Sequence, residues 1–229
     1  MRSTLLPLLA APFVLLASGC IPYATGTTAA TVPRGTVVPA VAVYFVPGGI
    51  ETLNGDSAGN ASLIGIDAEA RMGIDARSDL GIRAPGAAGV VLDYKRRLTA
   101  LDDPDAPGMA VLLGGGVVNL GEHALLSAAF VASGRRSDRW TPYGGFKAMK
   151  VWPLVEGAVH DEPTLGVFGG FRIGSERLGV SPELGVFYDR SALGLRTSDV
   201  IIVPSFTFHG DQLIDALLGR RPSRAPEAT

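Results

Sequence analysis

From Ser62 to Ile74 the chain alternates almost without interruption. Ile64, Ile66, Ala68, Ala70, Met72 and Ile74 share one parity, and Gly65, Asp67, Glu69, Arg71 and Gly73 share the other. A period of two marks a strand whose faces meet different surroundings, whereas a helix would scatter these residues around its circumference. The pattern recurs. Across 88–98, Val90, Leu92, Tyr94 and Leu98 oppose Asp93, Lys95 and Arg97, with Arg96 as the exception. Across 177–188, Leu178, Val180, Leu184, Val186 and Tyr188 oppose Arg177, Ser181 and Glu183, and across 200–208, Val200, Ile202, Phe206 and Phe208 oppose Ser205 and Thr207. Further strands are expected at 36–46, 108–118, 123–133, 141–152 and 164–174, with a short one at 79–84. The expected fold is all-β: an antiparallel up-and-down barrel of eight to ten strands, with ten favoured.

The polarity of such faces can be read in two ways. In a soluble sandwich or barrel the charges face water and the apolar stripe faces the core. In a membrane barrel the apolar stripe meets lipid and the charges pair across a polar interior. Strand length favours the second, because most segments reach the ~9 to 11 residues that a tilted spanning strand needs, against a usual ~5 to 6 in soluble sheets. The connections suggest one rim of short turns (75–78, 119–122, 174–176) and one of longer polar loops (48–60, 99–107, 134–140, 155–163, 189–198). Two strands, 36–46 and 108–118, are apolar on both faces and suit a soluble barrel with an apolar interior. Trp140, Tyr143, Trp152, Phe187 and Tyr188 fall near strand ends, where aromatic rings favour a membrane interface.

The amino terminus fixes the compartment. Arg2 precedes an apolar run, LLPLLAAPFVLLASGC, that is broken by Pro7 and Pro12 and ends in small residues before Cys20. It is too short to span a bilayer and has the layout of a cleavable export signal. The ending ASGC resembles the lipobox of bacterial lipoproteins. That resemblance implies cleavage before Cys20, a lipid on its sulfur and a fatty acyl chain such as palmitate on the new amine; Ile21, rather than Asp, next to Cys20 implies the outer membrane. The segment IDAEARMGIDARSDLGIRAPGAAGVVLDYKRRL has a hairpin rhythm similar to small outer-membrane β-barrel proteins, over about residues 36–209. The chain is thus expected to divide into a signal peptide (1–19), a flexible lipid-anchored tether (20–35), a barrel (36–209), and a short amphipathic helix with a tail (210–229). Asp211 would cap that helix and Gly219 would end it.

Composition narrows the function. Loss of Arg2 takes the basic residues from 20 to 19 against 22 acidic ones, so no polybasic face invites nucleic acid. Cys20 is the single cysteine, so the exported chain has no disulfide. Asp67, Glu69, Arg71, Asp93, Lys95, Arg97, Arg177 and Glu183 are the expected interior charge network, since charges in a narrow lumen must neutralise one another. No catalytic group, metal site or cofactor is expected. Ser205 and His209 lie four apart on one strand, ~13 Å along it, too far to share a proton. His123 belongs to a turn. Glu156, His160, Asp161 and Glu162 form a solvated loop, and Gly114, Gly115 and Gly116 sit in a strand rather than before a helix.

Three functions follow. One is a non-enzymatic outer-membrane lipoprotein whose partners are its own lipid and the bilayer, with a structural or minor transport role. Another is a lipid-tethered soluble periplasmic barrel that holds a small apolar ligand. A third is a lipid-modifying barrel enzyme, which would need a His–Ser constellation.

Overall fold

The computed structural model describes residues 21–50, 61–86, 88–99, 106–135, 139–155, 163–175, 177–189 and 200–214. Ten antiparallel strands form a single closed barrel: β1 (Val37–Ile50), β2 (Ala61–Gly73), β3 (Ser78–Pro85), β4 (Val90–Arg97), β5 (Gly108–Val118), β6 (His123–Ser133), β7 (Trp140–Pro153), β8 (Thr164–Gly174), β9 (Gly179–Tyr188) and β10 (Val200–His209). Each strand pairs with its neighbours in sequence, and β1 closes the ring on β10 with Ala42 opposite Thr207 and Tyr44 opposite Ser205. The strand count is therefore ten, and the segment expected as a short piece at 79–84 is a full member between β2 and β4.

Two rims follow from this order. The near rim carries both ends of the barrel, at Val37 and His209, and the connections 74–77, 98–107, 134–139 and 175–178. The far rim carries 51–60, 86–89, 119–122, 154–163 and 189–199. Short and long connections thus occur on both rims, and the expected division into a short-turn rim and a long-loop rim does not hold.

The outward face is apolar. Ile64, Leu92, Leu113, Phe146, Val167, Leu184, Ile202 and Phe206 are each more than half exposed, and the row of such residues runs round the ring. Among the described residues the charged side chains on this face are Arg96, near the near rim, and Lys150, near the far rim, where its ammonium lies 5.3 Å from the centre of the Trp152 ring. Trp140 and Phe171 pack on each other at the near rim with centroids 5.3 Å apart, and Tyr188 is exposed at the far rim. Two aromatics expected at the interface, Tyr143 and Phe187, instead point into the lumen and are buried. Their positions alternate with outward Pro142 and Val186, so the period of two dictates the direction and nearness to a strand end does not.

At the carboxyl end, the Leu213 amide donates to the Gly210 carbonyl at 3.1 Å and the Leu213 side chain is buried. Most of the expected C-terminal helix lies outside the described residues, as does the signal peptide.

Candidate functional site

The lumen is filled from within the chain. Residues 21–33, expected as a flexible tether, run through the barrel as an extended strap, and Ile21 to Gly26 are all buried. The correction has a physical basis. A segment without helix or strand cannot satisfy its own backbone, so in an enclosed lumen it needs donors and acceptors from the wall. The wall supplies them as charges.

The contacts follow the strap from one end to the other. The Tyr44 hydroxyl lies 2.9 Å from the Ile21 carbonyl and 3.2 Å from Asp67, which share its single proton. Tyr23 donates to Asp189 Oδ2 at 2.7 Å, beside the end of β9 on the far rim. Lys147 Nζ donates to the carbonyls of Pro22 and Tyr23, and Arg83 Nη1 to that of Ala24 at 2.8 Å. The Glu183 carboxylate accepts the amides of Thr25 and Gly26 at 2.8 and 2.9 Å, a bidentate clamp on two successive peptide units. Lys95 Nζ reaches the Ala30 carbonyl at 2.7 Å and the Thr27 hydroxyl at 3.1 Å. Asp79 Oδ2 accepts from the Val32 amide at 3.0 Å, and the Thr31 hydroxyl donates to the Ala76 carbonyl in the near-rim turn. Gly26 makes the tightest passage. Its φ is +59°, and a Cβ there would lie 2.1 Å from Thr207 Oγ1, so any side chain would meet both backbone strain and the wall.

Beneath the strap the charges also hold one another. Arg71 bonds Glu69 at 2.8 Å, Asp79 at 2.6 Å and Asp93, while Arg83 bonds Glu69 at 2.7 Å and Lys95 lies 3.3 Å from Asp79. Burying an ion costs several kcal/mol after relaxation, which only close pairing offsets; the cations and carboxylates here are interleaved accordingly. Of the expected network, Asp67, Glu69, Arg71, Asp93, Lys95, Arg97 and Glu183 do face inward. Arg177 does not: it lies in the exposed β8–β9 turn, because β9 begins two residues later than its alternation suggested. Three members went unread, namely Asp79, Arg83 and Lys147. Asp79 and Arg83 share an inward parity on β3 with Gly81, a signal already present within the expected 79–84 segment. Lys147 alternates with Phe146 and Ala148 in the same way.

The lumen has a second character towards the far rim. Tyr23, Tyr44, Val46, Val91, Val118, Leu125, Val151, Phe187, Ile201 and Val203 form one buried apolar cluster with Ile21. The Tyr23 ring sits edge-on to Tyr44 and Phe187, with centroids 6.1 and 5.1 Å away. The inward apolar residues of β1 and β5, which favoured a carrier, are thus the wall against which the strap packs.

Space remains near the near rim, where a cavity of about 210 Å³ is lined by strap residues together with Glu69, Arg71, Lys95, Arg172, Thr207 and His209. A smaller one of about 30 Å³ lies between Pro22, Arg83, Asp93 and Lys147. Both have room for water, and the buried Thr207 Oγ1, His209 Nδ1 and Arg83 Nε have no protein partner of their own. His209 Nε2 lies 3.2 Å from Ser181 Oγ on the neighbouring strand, not from Ser205. Ser181 is wholly enclosed. His123, expected in a turn, begins β6 and is buried, with Asn119 Nδ2 at 3.3 Å. The loop with Glu156, His160, Asp161 and Glu162 lies outside the described residues.

No protein-family description and no curated protein matches this chain. Among solved structures it is similar to an outer-membrane channel from Pseudomonas putida F1 (11% identity, TM-score 0.48, covering 80% of this chain and 97% of that one). It is also similar to Neisserial surface protein A (13%, 0.37, 76% and 95%) and to the Yersinia pestis outer-membrane protein Ail (8%, 0.32, 76% and 99%).

Proposed function

We propose that this chain is a non-enzymatic outer-membrane β-barrel lipoprotein, anchored additionally through an acylated Cys20, with a structural or minor transport role and a lumen closed by its own amino-terminal strap. The observation that carries the reading is the polarity of the ring. Asp67, Asp79 and Lys95 are enclosed, while Ile64, Leu92, Val167 and Ile202 stand outside. In water that belt would be a continuous exposed apolar patch far beyond the few hundred Å² tolerated by soluble monomers. In hydrocarbon it is the expected lipid face, and the closed sheet leaves no edge unpaired.

Leu113→Arg, at the centre of β5 on the outward face, tests this directly. At the middle of a lipid face an arginine costs about 2–4 kcal/mol, whereas at a water-exposed site the change stays within about 0.5 kcal/mol. Urea unfolding in lipid vesicles should show the larger loss. Cys20→Ala separates anchor from barrel: the variant should lose palmitate incorporation yet remain in the detergent-soluble membrane fraction. Release as a folded monomer into plain buffer would leave the lipid-tethered soluble carrier instead. For the enzyme reading, the enclosed Ser181–His209 pair is the residue set to test: His209→Ala should leave the acylation of membrane lipids unchanged.

A further inference from the structure

The strap has a direction, and that direction separates the two ends of the chain. Its carboxyl end is tied to the near rim: Thr31 bonds Ala76 in the β2–β3 turn, Gly35 donates to the Gly73 carbonyl at 2.9 Å, and Arg34 bridges Gly73 as a short parallel pair. Its amino end is held in the opposite half. Ile21 belongs to the apolar cluster with Val91, Val118, Leu125, Val151 and Ile201, each within the last three positions of its strand at the far rim. Tyr23 is bonded to Asp189 on that same side. The path back towards the near rim is occupied by the strap itself, from Thr25 on Glu183 to Val32 on Asp79.

We infer that the residue preceding Ile21 is delivered at the far rim, so that the acylated amino terminus leaves the barrel on the face opposite the end of β10. The inference rests on the lipidation of Cys20 proposed above. The occupant at that mouth is a lipid whose chains enter the leaflet bordering the far rim, and the strap carries the anchor across the membrane through the protein's own lumen. The far half packs Ile21 and Tyr23 among Val46, Val118, Leu125 and Ile201, so the chain approaches that rim through apolar surroundings; the charged half, with Arg71, Asp79 and Lys95, lies at the other rim.

The test places a short epitope and a sequence-specific protease site between Cys20 and Ile21 of the full chain, expressed with its own signal. Two single reporters mark the rims for a membrane-impermeant maleimide: Leu120→Cys in the far-rim turn, where Leu120 is 83% exposed, and Ala76→Cys in the near-rim turn. Protease is added to intact cells and to cells with a permeabilised outer membrane. Expected is cleavage in whichever preparation labels Leu120→Cys, with loss of the epitope from the barrel band. Cleavage that tracks Ala76→Cys instead, or no cleavage in either preparation, overturns the inference. Incorporation of a palmitate analogue, followed on the same gels, reports lipidation separately: without it the Cys20 reading fails, while the epitope still reveals the strap's direction. As a control that the strap is threaded, Ala29→Cys with Gly108→Cys should form a disulfide, because a Cβ at Gly108 lies 3.3 Å from that of Ala29, close to the ~3.5–4.5 Å such a bond requires.

Discussion

The two halves of the lumen hold the same strap by different means. Towards the near rim, Arg71, Lys95, Asp79 and Glu183 contact it or one another through charge. Towards the far rim, Tyr44, Phe187, Val118 and Ile201 surround Ile21 and Tyr23 as a soluble core would. The first arrangement fixes positions along the strap, because the Thr25, Gly26 and Val32 amides and the Ala30 carbonyl have designated partners. The second excludes water and leaves register to a few polar contacts, Tyr44 on the Ile21 carbonyl and Tyr23 on Asp189. A segment with little side-chain bulk, IPYATGTTAATVP, needs both.

Removing one member of the charged half should do the most damage. Arg71→Leu leaves Glu69 with Arg83 and Asp79 with Lys95, but Asp93 loses the guanidinium that bridges it. A loss of about 3–5 kcal/mol is expected for an orphaned buried charge, seen as a lower urea midpoint in detergent micelles, and hydrogen exchange should rise along Thr25 to Val32. Phe187→Ala is next, at about 3 kcal/mol for a large buried ring, with faster exchange confined to residues near Ile21 and Tyr23. Equal exposure of the whole strap in both variants would break the division into halves. Lys147→Met should cost about 1–3 kcal/mol by leaving the Pro22 and Tyr23 carbonyls unmet; in planar bilayers it should produce intermittent conductance where the wild type is closed.

The smallest effect lies outside the lumen, at the near-rim turn. The Arg77 amide donates to the Asp75 carboxylate at 2.6 Å and holds that group below the usual carboxylate range. A depressed folded pKa contributes stability above the unfolded value, and that contribution is lost as pH falls through the folded one. Asp75→Asn should therefore lower Tm slightly at neutral pH, and the difference from wild type should disappear in acid.

Much of this architecture is written in the alternation. β5, β6 and β8 occupy the spans that periodicity assigned, because an outward Leu beside an inward Ser or Gly leaves no other register. The wall's charge set was legible for the same reason, at Asp67, Arg71, Asp93 and Lys95. The strap was not. Its residues are small, uncharged and without period, which is the composition of a linker, and its burial depends on partners such as Lys147 and Glu183 that stand more than a hundred residues away. β3 was expected at 79–84, one residue short at each end, and Asp79 and Arg83 inside it were passed over because so short a strand shows only Leu80 and Ile82 as an opposing apolar face.

The glycine at position 26 bears on how such a ring can be dismantled. Once β1 and β10 are zipped, the enclosed peptide can depart only lengthwise, and the constriction against Thr207 lies midway along its course. Withdrawal towards the near rim would drag Tyr23 past Thr207, whose side chain must then swing aside. Sliding of the plug is therefore opposed at that point by a steric contact as well as by its bonds.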